Sequence, residues 1–278
     1  MASDELKQKS ARFRALHDGC QPFIMPNPYD IGTAKLLVSL GYEALATTSA
    51  GFAFTRGLPD GGVPFDQRIA HAKELAASVP VPVSADLEKG KGDSAESAGE
   101  TVFAAEAAGL AGCSIEDHTG DPASPIYDFT HAIERVQAAV EAARAFSHDF
   151  ILTARAENLL WGGPLDDTIR RLVAFEQAGA DVLFAPGLDI AGVREVQRAV
   201  TKPLNVIGQP GMRMDELAEL GVRRISVGSK LSTAAFGAVR RAAREMRDAG
   251  TFSFAEDAMG FSELQDLFAP DPLVRLTK

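Results

Sequence analysis

Residues 81–92 read Val-Pro-Val-Ser-Ala-Asp-Leu-Glu-Lys-Gly-Lys-Gly, an apolar run that ends in two acids and then breaks into glycines. Alternation along a strand places Ser84, Asp86 and Glu88 on one face. Two carboxylates that leave a strand end on the same side repel each other unless a cation or a proton lies between them. Taken alone, the stretch fits equally well a strand whose acids face water beside a glycine-rich turn.

One order of elements recurs along the chain: an alanine-rich amphipathic stretch, then a glycine, then a short β-rich run. Glycine ends helices readily because it adopts the left-handed backbone conformation at low cost. The junction glycines are Gly41, Gly109, Gly179 and Gly221. With the β-rich runs between these junctions, the pattern predicts eight strands, at residues 22–28, 44–49, 82–88, 112–117, 150–158, 182–186, 203–209 and 224–229.

Each predicted strand is followed by a helical stretch, most clearly at 94–108, 166–178 and 231–249. Alternating β and α units are typical of the (β/α)₈ barrel, which takes about 250 residues. We therefore predict an α/β protein with one TIM-type barrel domain over residues 1–278, in which the barrel itself covers about 20–249. A doubly wound open sheet is the alternative, although no Gly-x-Gly-x-x-Gly follows the first strand.

The chain after residue 249 is predicted to form a C-terminal helical extension over 250–278, with a short amphipathic piece at 261–268. Its apolar residues, which include Phe254, Phe261 and Phe268, form too much apolar surface for an isolated tail. The extension either covers the bottom of the barrel or packs on a neighbouring subunit, and composition does not separate the two.

Composition excludes several classes of function. The chain has a formal net charge of −10 and no run of Lys or Arg, which argues against nucleic acid or an anionic membrane as a partner. It has no apolar run of membrane-spanning length and no signal-peptide core. Cys20 and Cys113 lack a metal-ligand spacing and are expected to be reduced thiols. We predict a soluble cytoplasmic protein that binds a small molecule.

In a barrel, chemistry lies at the C-terminal ends of the strands, and three adjacent predicted strands end in charged side chains. These are Asp86 and Glu88 after strand three, Glu116, Asp117 and His118 after strand four, and Arg155 and Glu157 after strand five. Carboxylates that converge away from water are neutralised by a hard divalent cation, and an all-oxygen set suits Mg²⁺ or Mn²⁺. Alternatively, the acids form ion pairs with lysines 89 and 91 and with Arg155.

Arg155 is the candidate for binding a substrate carboxylate, because its planar guanidinium can donate to both oxygens. A structural ion pair with Glu157 or Glu116 is the alternative. The backbone amides of a short turn could hold a second anionic group. Such a turn is predicted at Ser49, Ala50 and Gly51.

Other candidate residues have structural interpretations of equal or greater weight. The turn at 226–229 fits either a bound phosphate or tight packing, and Trp161 could cover the pocket or anchor a loop. Cys113 alternates away from Glu116 and is expected to face the helices. Four histidines lie on or near predicted helices and are interpreted as surface or capping residues: His17, His71, His131 and His148.

Four motifs in order resemble the isocitrate lyase/phosphoenolpyruvate mutase superfamily. They are Gly-Leu-Pro-Asp60, Ala-Asp86-Leu-Glu88-x-Gly90-x-Gly92, Ser-Ile-Glu116-Asp117 and Ala-Arg155-x-Glu157. The resemblance implies a (β/α)₈ barrel whose last helix is swapped between subunits, in a homo-oligomer built as a dimer of dimers. It therefore favours packing of the tail on a neighbouring subunit.

The resemblance also implies roles for individual residues. Asp86, Glu88 and Glu116 would hold Mg²⁺, with Asp60 nearby. Ser49, Ala50 and Gly51 would bind the substrate carboxylate together with Arg155. Members of the superfamily make or break C–C or P–C bonds next to a 2-oxo acid, and the enolate that forms is stabilised by the metal and by oxyanion donors.

Departures from the superfamily's motifs narrow the reaction. The loop at 118–125 has neither the cysteine of isocitrate and methylisocitrate lyases nor the lysine of the phosphonate enzymes, and Ala185-Pro186-Gly187 replaces the mutase histidine. We therefore predict a Mg²⁺-dependent lyase or decarboxylase acting on a small 2-oxo or 2-hydroxy carboxylate. The predicted catalytic residues are Asp60, Glu116, His118 and Arg155.

Three alternatives remain at this point. The first is a mutase or hydrolase of a P–C bond. The second is a protein that binds a 2-oxo acid without converting it. The third is a barrel that binds a phosphorylated sugar through residues 226–229.

Overall fold

Eight parallel strands form one sheet in the computed structural model, which describes residues 2–269. The strands are β1 (Phe23–Ile24), β2 (Leu45–Ala46), β3 (Val83–Asp86), β4 (Gly112–Glu116), β5 (Ile151–Arg155), β6 (Val182–Phe184), β7 (Leu204–Ile207) and β8 (Arg224–Ser226). Their order is β1-β8-β7-β6-β5-β4-β3-β2. The amide of Ala46 donates to the carbonyl of Pro26 at 3.1 Å, which links the two outer strands, and the sheet is curled as in a TIM barrel.

One helix precedes the first strand, and one or two helices follow each strand. They are α1 (Asp4–Asp18), α2 (Ile31–Ser39), α3 (Ser49–Thr55), α4 (Phe65–Ser78), α5 (Ala95–Ala107), α6 (Phe129–Arg144), α7 (Leu165–Gln177), α8 (Ile190–Ala199), α9 (Met214–Glu219), α10 (Lys230–Asp248) and α11 (Phe261–Phe268). Short 3₁₀ turns cover Asn158–Trp161 and Ser253–Asp257. The predicted α/β class, the eight strands and the three clearest helices are confirmed.

Local signals account for the ends of several elements. All four junction glycines have positive φ, from 84° at Gly109 to 101° at Gly179, as expected of helix-ending glycines. Ser94 caps α5 by accepting a hydrogen bond from the amide of Ser97. The strands are shorter than predicted, however. Residues 49–51 form the start of α3 and not a turn after β2, since Thr48 caps that helix.

The core has an outer and an inner part. The outer part lies between sheet and helices and contains Cys113, which is fully buried, so its predicted orientation toward the helices is confirmed. The inner part closes the N-terminal end of the barrel, where Phe13 of α1 packs against Ile151 and Val182. That end is thus covered by α1, whereas α11 packs beside α2. Residues 270–278 of the predicted tail lie outside the described residues.

No helix within residues 2–269 combines the length and the apolar character needed to cross a membrane.

Candidate functional site

The C-terminal ends of β3, β4 and β5 bring together the acids and the arginine predicted from the sequence. Glu116 lies beside Arg155 in the strand register, and Asp86 lies beside Ser114. Nη1 of Arg155 is 3.3 Å from Oδ1 of Asp86 and 3.3 Å from Oε2 of Glu116, and its Nε contacts Glu157. The ion pairs of Arg155 with Glu116 and Glu157, which were the alternative to binding a substrate carboxylate, are therefore present in the structure.

Ser49 and Asp60 complete this group. The Ser49 hydroxyl lies 3.0 Å from Oδ2 of Asp86 and 3.3 Å from Oδ1 of Asp60, and the Ser49 amide donates to Asp86. The Gly51 amide donates to Oγ1 of Thr48 at 3.1 Å. Two of the three amides predicted to receive a substrate carboxylate thus already have acceptors, and only that of Ala50 has no such bond among the described residues.

Glu88 is placed in the site by a backbone conformation that strand alternation did not predict. It lies beyond the end of β3 with φ of 55°, a left-handed conformation that is uncommon outside glycine. Its carboxylate forms an ion pair with Arg68 of α4, and Arg68 also donates to the carbonyl of Leu87 at 3.2 Å. Gly90 follows with φ of 86°, and a Cβ there would overlap Thr101. Position 90 of the glycine-rich turn therefore requires glycine, because Thr101 leaves no room for a side chain.

A second arginine from the helix layer holds this turn. Arg135 of α6 is 1% exposed, and its Nη1 donates to the carbonyls of Gly92, Asp93 and Ser94 at 2.8, 2.6 and 3.0 Å. Its Nη2 donates to the carbonyl of Lys89. One guanidinium thus fixes the backbone that follows Glu88.

Sequence reasoning missed Arg68 and Arg135, although a signal was present. Each stands on the apolar stripe of its helix: Arg68 precedes Ala72 and Leu75, and Arg135 precedes Ala139. A cation at such a position must find buried acceptors, because an unpaired buried charge is costly.

His118, after β4, lies at the rim of the site. Its Nδ1 is 3.5 Å from Oε1 of Glu116, and its ring stacks on Trp161 with centroids 5.1 Å apart. The pairing with Glu116 raises the pKa of His118, although burial opposes it. Trp161 is 45% exposed, so it covers the rim of the site and is not a packed loop anchor.

Two other sequence interpretations are also decided by contacts. The amides of Val227 and Gly228 donate to Oδ1 of Asn27 at 2.8 and 2.9 Å, which favours tight packing of the 226–229 turn over a bound phosphate. Lysines 89 and 91 pair with Asp93 and Glu100 and not with the acids of the site.

The site, which we call the mouth, carries more negative than positive charge. Its carboxylates are those of Asp60, Asp86, Glu88, Glu116 and Glu157, and its cations are Arg68, Arg155 and Lys89, of which Lys89 pairs with Asp93. Burial, and then Asp86 and Glu116, raise the pKa of Asp60. Burial raises the pKa of Glu88 to about 7, against the opposing effect of Arg68. The acids therefore destabilise one another's charged forms.

Two connected spaces adjoin the mouth. A space of about 700 Å³ lies between Glu88, Glu116, His118 and Trp161. A cavity of about 240 Å³ extends from Asp86 and Arg155 down into the barrel. Both are lined by Ser49, Asp60 and Arg155, so the predicted residues share one site.

The donor set fits a hard divalent cation in its chemistry. Carboxylate oxygens are the ligands that Mg²⁺ prefers, and the surplus of negative charge would be relieved by it. Within residues 2–269, no three His, Cys, Asp or Glu side chains are grouped closely enough to hold a metal ion directly. Arg68 and Arg155 instead contact the carboxylate oxygens of Glu88, Asp86 and Glu116.

Comparison with known proteins identifies the family. The family profile described as phosphoenolpyruvate phosphomutase matches residues 13–247. A crystal structure from Burkholderia cenocepacia, described as a lyase/mutase, is 50% identical, covers 97% of this chain and 98% of its own, and gives a TM-score of 0.94. Two enzymes are 28% identical: 2-methylisocitrate lyase of Escherichia coli, covering 89% of this chain and 87% of its own, and oxaloacetate decarboxylase of Pseudomonas aeruginosa, covering 86% and 85%.

Two structures with ligands share the fold. Oxaloacetate acetylhydrolase in complex with the product oxalate is 25% identical, covers 94% of both chains and gives a TM-score of 0.84. Phosphonopyruvate hydrolase in complex with oxalate and Mg²⁺ is 24% identical, covers 93% of this chain and 94% of its own, and gives a TM-score of 0.83.

The profile covers most of the chain, and the motif residues at the strand ends meet in one mouth. The resemblance inferred from the sequence is thus confirmed: this chain belongs to the phosphoenolpyruvate mutase/isocitrate lyase superfamily, whose members include C–C lyases and decarboxylases and P–C mutases and hydrolases.

Proposed function

We propose that this protein is a Mg²⁺-dependent lyase or decarboxylase that breaks a C–C bond next to a 2-oxo or 2-hydroxy carboxylate through an enolate. The observation that carries the proposal is the surplus of carboxylates over arginines in the mouth. The relatives named for oxaloacetate and methylisocitrate support the substrate class.

Asp86, Glu88 and Glu116 are proposed to hold the metal, Mg²⁺ or Mn²⁺, with Asp60 beside them. A bound divalent cation supplies Lewis-acid stabilisation of the negative charge that develops on the enolate oxygen. Metal binding would release Arg155 from Asp86 and Glu116, since its guanidinium now lies against both.

Arg155 is proposed to bind the substrate carboxylate. Its guanidinium lies over the ring of Phe184 at 5.2 Å, which fixes the plane of its donors at the top of the cavity. Glu157 contacts Nε of Arg155. Nη1 and Nη2 would therefore be available to a substrate carboxylate once the metal neutralises Asp86 and Glu116. The Ala50 amide and the Ser49 hydroxyl are the further donors at this level.

His118 is proposed as the group that moves the proton. Glu116 orients the ring through Nδ1, and Nε2 has no hydrogen-bond partner among the described residues. Decarboxylation needs an electron sink more than a base, so water could supply the final proton to the enolate carbon; a retro-aldol cleavage would need His118.

The proposal is tested by assaying oxaloacetate, methylisocitrate and phosphonopyruvate side by side with Mg²⁺ and with EDTA. We expect Mg²⁺-dependent product from one of the first two. Product from phosphonopyruvate alone would replace the proposal with P–C chemistry, which the family profile favours as the second candidate. Ligand-induced stabilisation without product from any of the three would identify a binding protein.

We also propose that the chain works as a homo-oligomer, a dimer of dimers with exchanged C-terminal helices. The support is the apolar surface on and after α10, where Phe236, Val239, Phe252 and Phe261 are 49–80% exposed. Light scattering should give a tetramer, and Phe261→Asp should lower the assembled mass. A monomeric wild-type chain would contradict this.

The cytoplasmic location predicted from the sequence also remains a proposal. Its support is that Cys20 and Cys113 are both free thiols.

A further inference from the structure

The lower part of the 240 Å³ cavity is lined by side chains that are unusual for a barrel interior. Bulky branched residues normally fill this space. Here five of the lining positions hold polar residues: Ser84, Ser114, Thr153, Asn205 and Ser226. Because these side chains are short, they leave a polar space above the apolar plug formed by Phe13, Ile151 and Val182.

Arg224 stands in this polar space. It is 3% exposed, and it lines the cavity at the start of β8. Its Nε donates to Oδ1 of Asn205 at 2.8 Å, and its Nη2 donates to Oγ1 of Thr153 at 2.9 Å. Its Nη1 lies 3.3 Å from Nε2 of His17. We call the group formed by Thr153, Asn205, Arg224 and Ser226 the floor.

The acceptors around Arg224 carry no negative charge. His17 is neutral, since burial and the nearby Arg224 lower its pKa to about 3, and its Nδ1 bonds the carbonyl of Phe13. Within residues 2–269, no carboxylate lies within ion-pair distance of Arg224, and burial lowers its pKa to about 9. His17 is thus a core residue, and its interpretation as a surface or capping residue is wrong.

The guanidinium is also not saturated with hydrogen bonds. It has five N–H groups, and the three contacts above use three of them. The remaining two have no protein acceptor among the described residues. A buried cation whose partners are all neutral is costly, and an anion in the adjoining cavity would offset that cost.

The floor lies two residues below the mouth along the strands. Thr153 and Arg155 are two residues apart on β5 and face the same way, so the floor lies about 6.6 Å below the level of Arg155. Ser84 and Asp86 have the same relation on β3. An anion on the floor would therefore lie one layer beneath the mouth, where the hydroxyls of Ser84 and Ser114 could donate to it.

We propose that the floor is an anion-binding subsite, in which Arg224 receives a carboxylate-sized anion at the bottom of the barrel cavity. The anion is either a free small ion or the far carboxylate of a bound dicarboxylate. In both cases the recognising chemistry is the same: two guanidinium N–H groups and neighbouring hydroxyls at the bottom of a narrow cavity.

Thermal unfolding in EDTA tests the proposal without metal or turnover. Formate is titrated into the protein, and the ionic strength is kept constant with the HEPES anion, which is too large for the cavity. We expect a saturable rise in Tm of about 3–6 °C at ten times Kd, absent in Arg224→Met and retained in the surface control Arg247→Met. Equal responses of wild type and Arg224→Met would overturn the subsite.

A crystal of the wild-type protein soaked in bromide gives a readout that does not depend on folding of the variant. An anomalous peak in contact with the Arg224 guanidinium supports the proposal. A fully occupied water there, with bromide bound elsewhere or not at all, overturns it.

The two sources of the anion are separated by activity. If the occupant is a substrate carboxylate, Arg224→Met should lower kcat/KM for the dicarboxylate at least tenfold and leave the monocarboxylate analogue unchanged. If it is a free ion, both should change equally. If the wild-type protein shows no Mg²⁺-dependent turnover but its Tm still rises with formate, the proposed function is rejected and the anion subsite is supported.

Discussion

The mouth and the floor of the barrel cavity carry opposite imbalances of charge. At the mouth, five carboxylates face two arginines and one lysine; on the floor, one buried arginine has only neutral partners. Folding alone would favour neither arrangement, because uncompensated charge away from water costs free energy. This difference is the basis of the two proposals, a cation bound at the mouth and an anion bound on the floor.

The largest expected effect is at the mouth. Asp86→Asn removes the carboxylate that contacts Ser49 and Arg155 while keeping its shape. We expect kcat/KM with Mg²⁺ to fall by at least about 10³-fold, since metal stabilisation of an enolate is worth several kcal/mol. Circular dichroism should show an intact fold. The matched control is Glu100→Gln, whose carboxylate pairs with Lys91 outside the site; equal loss in both would remove the distinction.

The next effect concerns how the mouth is held. Arg135→Met leaves the carbonyls of residues 89 and 92–94 without their buried donor. We expect a loss of about 3–5 kcal/mol in the free energy of unfolding, measured by urea denaturation. Arg198→Met, which breaks an exposed pair with Glu195, should cost less than about 1 kcal/mol. A small loss of unfolding free energy in Arg135→Met would show that the turn keeps its conformation without this arginine.

The floor should be sensitive to acid. Since the pKa of His17 is about 3 in the folded protein and near 6.5 when unfolded, only the unfolded chain takes up this proton between those values. Stability is therefore complete above pH 6.5 and falls as the pH drops toward 3, by about 1.4 kcal/mol per pH unit.

His17→Gln should lack this dependence. The stability of wild type relative to His17→Gln should drop by about 2 kcal/mol from pH 6.0 to 4.5 in urea unfolding. His71, whose pKa burial lowers to about 4, contributes equally to both proteins. A difference that stays constant with pH would mean that His17 is protonated in the fold.

The smallest expected effect is on stability at the floor. Arg224→Met removes a buried cation that has no counter-ion, but it also leaves Oδ1 of Asn205 without its donor. Because these effects oppose each other, the free energy of unfolding should change by less than about 1 kcal/mol. Arg135→Met is the comparison, because both arginines are buried. A loss as large as that of Arg135→Met would show that Arg224 is a structural core residue.

Local rules predicted the scaffold well. Glycine junctions and apolar runs are short-range signals, and Gly41, Gly109, Gly179 and Gly221 all have the predicted left-handed backbone. The meeting of Asp86, Glu116 and Arg155 followed from the rule that parallel strands end at one edge. Strand lengths were overestimated: the fifth strand was predicted to run to residue 158, whereas β5 ends at Arg155 and a 3₁₀ turn begins at Asn158.

Contacts between distant elements could not be predicted from the sequence. The left-handed Glu88 depends on Arg68, and the turn after it depends on Arg135, two side chains from separate helices. Spacing within one element does not reveal which loop a buried cation will reach. The engagement of the Gly51 amide by Thr48 was a short-range signal that could have been read, since Thr is a common helix N-cap.

Calorimetric titration with Mg²⁺ tests the central claim most directly, namely that the surplus carboxylates of the mouth bind a divalent cation. We expect one binding site per chain in the wild type and in Glu100→Gln, and no binding in Asp86→Asn. Absence of binding in the wild type, or equal binding in Asp86→Asn, would contradict it.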